Sequence, residues 1–187
     1  MELVWPGTEY LASYIHALKQ GWSPDNLRAS TSQDELAEIS RDPVAFLRGQ
    51  VDREGLGPPI VAPDGSTVPR LPGYKRWIWD GEFCGVIGLR WQPGTAELPP
   101  TSLGHIGYSI VPWKQRRGYA TRALALFLPE AKREGLPYVE VTTDAANVAS
   151  RRVIEANGGV LVEKFTKPAS HGGAASLRFR ISLASGV

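Results

Sequence analysis

The chain is expected to fold as one α/β domain built on a mixed sheet. Three observations support this. It has 187 residues, of which 42% are hydrophobic and 21% charged, a size and composition suited to a single soluble core. A strand pattern, an amphipathic helix and a second strand pattern follow one another between residues 105 and 143, which implies a right-handed βαβ unit with a parallel pair. Helical periodicity dominates the first third, whereas short alternating segments flank the βαβ unit on both sides.

Leu11, Ile15 and Leu18 recur at helical spacing behind Thr8, a suitable N-cap. A second helix is expected from about Thr31 and Ser32, with Asp34 and Glu35 in its first turn. Pro43 after Asp42 suits a helix restart running through Phe46, Leu47 and Val51. Residues 55–73 are dense in Gly and Pro and read as a loop or short hairpin. Strands over 74–80 and 82–91 flank Asp80-Gly81, a hairpin turn signal. After a loop over 92–103, His105–Val111 reads as a strand and Gly118–Arg133 as a helix with a continuous apolar stripe. Pro129 inside that helix should kink it or end its regular part. Tyr138–Thr143 alternates as a strand, Asn147–Ala156 reads as a helix closed by Asn157-Gly158-Gly159, and Val160–Phe165 and Ser176–Leu183 complete the strands.

Several function classes are disfavoured at once. Cys84 is the only cysteine, so no disulfide framework forms within the chain, and a cytoplasmic setting is expected. The N-terminus has no basic region followed by an apolar stretch, so no signal peptide is expected, and no apolar run reaches the ~20 residues of a membrane span. The formal charge of +2 does not announce a nucleic-acid binder. His16, His105 and His171 are scattered, and no metal site is expected.

The chemistry concentrates in HIGYSIVPWKQRRGYATR, residues 105–122. A strand ends at Val111-Pro112, a basic loop follows, and a helix opens at Gly118. Helix N-termini present unpaired N–H groups and the positive end of the dipole, which together attract anions. Gly118 clears the approach to the backbone, and Arg116 and Arg117 add positive charge. No G-x-x-x-x-G-K-[ST] or G-x-G-x-x-G pattern occurs.

Gln115-x-x-Gly118-x-Ala120 resembles the Q/R-x-x-G-x-G/A motif of the GNAT acetyltransferases, and Asn147 through Gly159 resembles a later helix of that family. The resemblance spans residues 74–165 and is strongest over 104–159. It implies a central mixed sheet with helices on both faces, acetyl-CoA as cosubstrate, and an amine acceptor that attacks directly in a ternary complex. It also implies that two neighbouring strands splay apart to admit the pantetheine arm. Backbone groups of Ile110 and Val111 would then hold that arm. The N–H groups of Arg116, Arg117, Gly118, Tyr119, Ala120 and Thr121, behind Gln115, would hold the pyrophosphate. Asn147 would support the arm from the other side, and Arg151 would meet a phosphate. By the same resemblance, residues 1–73 form the acceptor side, 74–165 the acetyl-CoA core and 166–187 the C-terminal strand.

The chain departs from the family where a general acid is usual: seven residues after Asn147 stands Ile154 rather than tyrosine. Ser150 and Tyr108 are the replacement candidates. His105 stands where relatives carry a glutamate base, and its ordinary pKa near 6.5 suits proton relay. Trp77 and Trp79 share a strand face and are the aromatic pair that could form an acceptor wall. The acceptor, a small molecule or peptide carrying an amine, is not identified by the sequence. A homodimer is compatible with it, and a catalytically weak coenzyme A-binding regulatory domain is the alternative reading.

Overall fold

Alternation along one strand organises the fold. In β5 (Gly73–Trp79), Tyr74 and Ile78 enter one core and Trp77 enters another, because successive side chains leave a strand on opposite sides. The computed structural model describes residues 1–26, 28–61 and 65–184. Residues 62–64 of the Gly- and Pro-rich stretch, and 185–187 beyond the last strand, lie outside these.

One antiparallel sheet runs in the order β1 (Glu2–Val4), β5, β6 (Phe83–Arg90), β7 (Ile106–Ile110), with β2 (Val51–Asp52) also paired to β5. A second antiparallel sheet runs β8 (Tyr138–Asp144), β10 (Ala175–Ser182), β9 (Val160–Thr166). The Gly- and Pro-rich stretch contributes a small hairpin, β3 (Ile60–Val61) with β4 (Thr67–Val68).

Helices cover both faces of the first sheet. On the Trp77 side, α1 (Thr8–Lys19), α2 (Thr31–Arg41) and α3 (Pro43–Gly49) bury Leu11, Tyr14, Leu18, Ile39 and Phe46. Tyr14 stacks on Trp77 with ring centroids 4.4 Å apart. On the other side, α4 (Tyr119–Arg133) buries Ala123, Leu124, Phe127 and Ala131, joined by Ile154 from α5 (Val148–Glu155). Each large apolar side chain so buried contributes on the order of 1.5–3 kcal/mol.

Several local expectations change. Gly7 rather than Thr8 occupies the N-cap of α1, and Thr8 is the first helical residue. Asp42 caps α3 as its position suggests, accepting from the Ala45 N–H at 2.9 Å, but that helix stops at Gly49 and Val51 pairs with Tyr74 instead. Helix α4 runs through Pro129, which lies on the exposed face, where water can satisfy the carbonyl it leaves free. Trp77 is fully buried and Trp79 packs on Tyr10 at 4.8 Å, so they belong to the core and form no acceptor wall.

The largest correction concerns the parallel pair. Strands β7 and β8 run parallel but form no ladder. They meet only at their N-terminal ends, where the His105 N–H donates to the Glu140 carbonyl at 2.8 Å. The Glu140 N–H then donates to His105 Nδ1 at 3.0 Å. The His105 carbonyl, which the next rung of a parallel ladder would use, accepts instead from the Arg90 N–H at 2.9 Å, and the ladder goes no further. The result is a notch that opens toward the N-termini of α4 and α5.

Candidate active site

The wall of the notch is the free edge of β7. The Arg90 N–H donates to the His105 carbonyl at 2.9 Å, and the Val111 N–H to the Cys84 carbonyl at 2.9 Å. Odd-numbered residues of β7 therefore face β6, and the backbone groups of Ile106, Tyr108 and Ile110 turn to the notch. Close approach of the two strands depends on Gly85 (φ 154°), where a Cβ would lie 2.2 Å from the Ser109 carbonyl. This geometry keeps Ile110 as a notch residue and removes Val111. The Val111 N–H is taken by Cys84, its carbonyl accepts from the Lys114 N–H at 3.0 Å, and the residue is fully buried. Tyr108, three residues earlier, presents the backbone groups in its place.

Beyond β7 the chain turns through Pro112–Lys114 into a loop with left-handed backbone at Arg116 (φ 60°) and Gly118 (φ 77°). Such kinks gather successive N–H groups into anion-binding concavities. Among the described residues, the N–H groups from Arg116 to Thr121 make no backbone hydrogen bond, and no side chain caps α4. Arg116 and Arg117 are exposed and make no ion pair among the described residues. The Tyr119 side chain points away from this concavity and donates to Asp80. Lys114 Nζ donates to Asp80 Oδ1 at 3.1 Å and Oδ2 at 3.0 Å, and to Glu82 at 3.2 Å. Burial alone would raise the Asp80 pKa, but the hydrogen bonds from Tyr119 and Lys114 hold its carboxyl well below the usual range. These bonds tie the loop to β5–β6, and of Tyr119 only the backbone borders the concavity.

Across the notch, the Tyr108 and Ser150 hydroxyls lie 2.8 Å apart. The two replacement acids are thus one hydrogen-bonded pair. Burial pushes the Tyr108 phenol up to about 12, with the Ser150 bond acting the other way. Asn147 caps α5, its Oδ1 accepting from the Ser150 N–H at 3.0 Å, so it positions Ser150. The Asn147 side chain is exposed, while Arg151 is half-buried with its Nε unpaired. Ile154 is fully buried and offers nothing to the notch.

His105 is corrected from a proton relay to a structural clamp. It is 1% exposed, at the closed end of the notch, with Nδ1 accepting from the Glu140 N–H and Nε2 buried. Burial lowers its pKa, partly offset by Glu140 and the Ala96 backbone. Because the folded pKa lies below the unfolded one, the stability it contributes is complete above about pH 6.5 and is lost as pH falls through the folded value. His105→Phe keeps a ring but strands the Glu140 N–H, at a cost of about 1–3 kcal/mol. We expect a lower Tm, loss of this acid-side decline in stability, and an unchanged rate–pH profile. A flattened acidic limb in the rate would restore the relay. Beside His105, burial works against the Glu140 charge, but Arg180 and Arg178 more than offset this and lower its pKa.

Residues between α1 and α2 also reach the site. Trp22 Nε1 donates to Ser109 Oγ at 3.0 Å, and Asn26 Nδ2 donates to the Tyr108 carbonyl at 3.3 Å. Contacts spanning more than eighty residues leave no trace in local sequence patterns, and nothing in the S-P-D-N stretch marks Asn26 as a neighbour of Tyr108.

A split sheet with a donor-rich helix start at its mouth defines a protein that binds an extended, phosphorylated cosubstrate. The family model described as an acetyltransferase (GNAT) domain matches residues 67–160, half of the chain. The chain belongs to the GNAT acetyltransferases, enzymes that transfer an acetyl group from acetyl-CoA. Its fold is similar to that of the microcin C7 self-immunity acetyltransferase MccE, solved with acetyl-CoA and AMP (TM-score 0.61, 13% identity, 96% of this chain and 91% of that one). It is also similar to RimL, the ribosomal L7/L12 alpha-N-protein acetyltransferase solved with coenzyme A (0.61, 12%, 96% and 92%), and to an acetyltransferase from Agrobacterium tumefaciens (0.51, 18%, 95% and 88%). No curated protein matches the chain. Among the described residues no helix is long and apolar enough to cross a membrane, and no group of three His, Cys, Asp or Glu side chains is placed to hold a metal ion.

Proposed function

We propose that the chain acetylates a primary amine by direct attack on acetyl-CoA held in the notch. The carrying observation is that the unpaired N–H groups of 116–121 follow directly on β7, whose edge away from β6 pairs with no strand and is joined to α5 by the Tyr108–Ser150 bond. The concavity receives the pyrophosphate on backbone N–H groups, with Arg116 and Arg117 adding charge. The notch edge at Tyr108 and Ile110 holds the pantetheine arm as an added strand. A backbone N–H of that edge polarises the thioester carbonyl. The amine lone pair forms the C–N bond, the C–S bond breaks, and Tyr108 Oη–H donates a hydrogen bond to the departing sulfur while Ser150 donates to Tyr108. The ammonium proton leaves to water. Residues 1–73 form the acceptor side, 74–165 the coenzyme core and 166–187 the C-terminal strand.

The test is thiol release from acetyl-CoA in the presence of peptide N-termini, lysine, polyamines or aminoglycosides. Peptide N-termini come first, because RimL is described as an alpha-N-protein acetyltransferase. One class should accelerate release well above hydrolysis. Coenzyme binding without release on any amine would favour the regulatory reading.

A further inference from the structure

The notch edge already has occupants. Its carbonyls at Tyr108 and Ile110 accept from the side-chain amides of Asn26, at 3.3 Å, and Gln115, at 3.1 Å. Alternate residues of a strand repeat at ~6.6–6.8 Å, the spacing at which an extended chain laid along this edge presents its own amides. A carbonyl partner fixes the orientation of both side chains, since only the NH2 group of Asn or Gln can donate.

The two amides sit on different supports. Gln115 belongs to the anion-binding loop. Asn26 belongs to the segment between α1 and α2, otherwise held on β7 by Trp22 Nε1 to Ser109 Oγ and by Ser109 Oγ to the Ser23 carbonyl at 3.4 Å. That segment keeps its own shape through Ser23 Oγ, which donates to the carbonyls of Asp25 at 3.0 Å and Arg28 at 2.9 Å.

We propose that Asn26 is a positioning residue that competes with the coenzyme for the Tyr108 carbonyl, so that acetyl-CoA binding displaces the Asn26 side chain from β7. This rests on the reading of the notch as the pantetheine site. Coenzyme and Asn26 are then negatively coupled.

The coupling gives Asn26→Ala two effects of opposite sign. The unliganded protein loses a tether, and its Tm falls by a degree or two. The coenzyme no longer displaces a bond, so its Kd falls about two- to fivefold, the range expected of one partly exposed hydrogen bond. Asn26→Asp, which cannot donate to a carbonyl, should tighten binding as Asn26→Ala does. Amides flanking Asn26 should exchange faster in the wild type once coenzyme A is added and show no further change in Asn26→Ala. The experiment is calorimetric titration of wild type and both variants with coenzyme A, with hydrogen exchange on the same samples. A wild type that does not bind coenzyme A at all overturns the reading of the notch. A wild type that binds, with both variants binding equally or more weakly, overturns the competition and leaves the reading of the notch standing.

Discussion

Gly118→Glu is expected to abolish coenzyme binding while the protein stays folded. No protein atom lies within 4 Å of a Cβ built at Gly118, so the neighbours do not resist a side chain. The backbone does, since φ is 77°, and a non-glycine residue there costs roughly 1–2 kcal/mol. The chain already carries one such residue at Arg116 (φ 60°), so this strain alone does not unfold it. The carboxylate acts on the ligand. A charge about 4 Å from a phosphate at an effective dielectric near 20 repels by ~4 kcal/mol, and each charge-assisted hydrogen bond lost adds about 1.5–3 kcal/mol. At 1.36 kcal/mol per decade, affinity should fall at least a hundredfold. Gly118→Asn separates charge from conformation, because asparagine tolerates the left-handed region and is neutral. It should stay within about tenfold of wild type. The measurement is calorimetric titration with coenzyme A, alongside circular dichroism to verify the fold. Wild-type affinity in Gly118→Glu would remove the pyrophosphate from this loop.

What could be read in the sequence follows the range of the interactions. The strand–loop–helix at 105–133 is legible because its signals are local: an alternating strand, a glycine at a left-handed position, and an apolar stripe at helical spacing. The hairpin at Asp80-Gly81 and the Asp42–Pro43 helix start are legible for the same reason. The strand Glu2–Val4 is too short to show a period and is fixed by pairing with Trp77–Trp79. At the site, Gln115, Gly118 and Ser150 could be nominated from motif positions. The exclusion of Val111 could not, because it depends on which residues of β7 face β6. The role of His105 is not legible either, because proximity in sequence to β7 says nothing about which end of the notch it occupies. It is sealed under the Glu140 backbone, where burial keeps an imidazole neutral.

The hydroxyl pair carries the second large effect. Tyr108→Phe is expected to lower kcat about a hundredfold with little change in KM for acetyl-CoA, because it leaves the backbone at position 108, the proposed pantetheine contact, untouched. The magnitude follows from what the phenol can do. With a pKa pushed up to about 12, it stays neutral, and so able to donate, at every pH at which the enzyme works. Burial raises the phenol pKa, so full transfer to a thiolate, whose conjugate acid ordinarily titrates near 8.5, is uphill. On the proposed reading Tyr108 serves as a hydrogen-bond donor to developing charge, and removal of one such donor costs typically ~10²–10³-fold. Ser150, at 2.8 Å, orients the phenol and donates to it as charge develops at sulfur. Ser150→Ala should cost less than Tyr108→Phe, and the double variant should cost no more than Tyr108→Phe alone, since both changes remove one chain of bonds. No alkaline decline arising from Tyr108 should appear in the rate–pH profile below about pH 11. Steady-state kinetics with saturating amine, measured across pH for the three variants, tests all of this. A wild-type kcat in Tyr108→Phe would show that the thiolate leaves without help from this pair, and additive losses in the double variant would show that the two hydroxyls act separately.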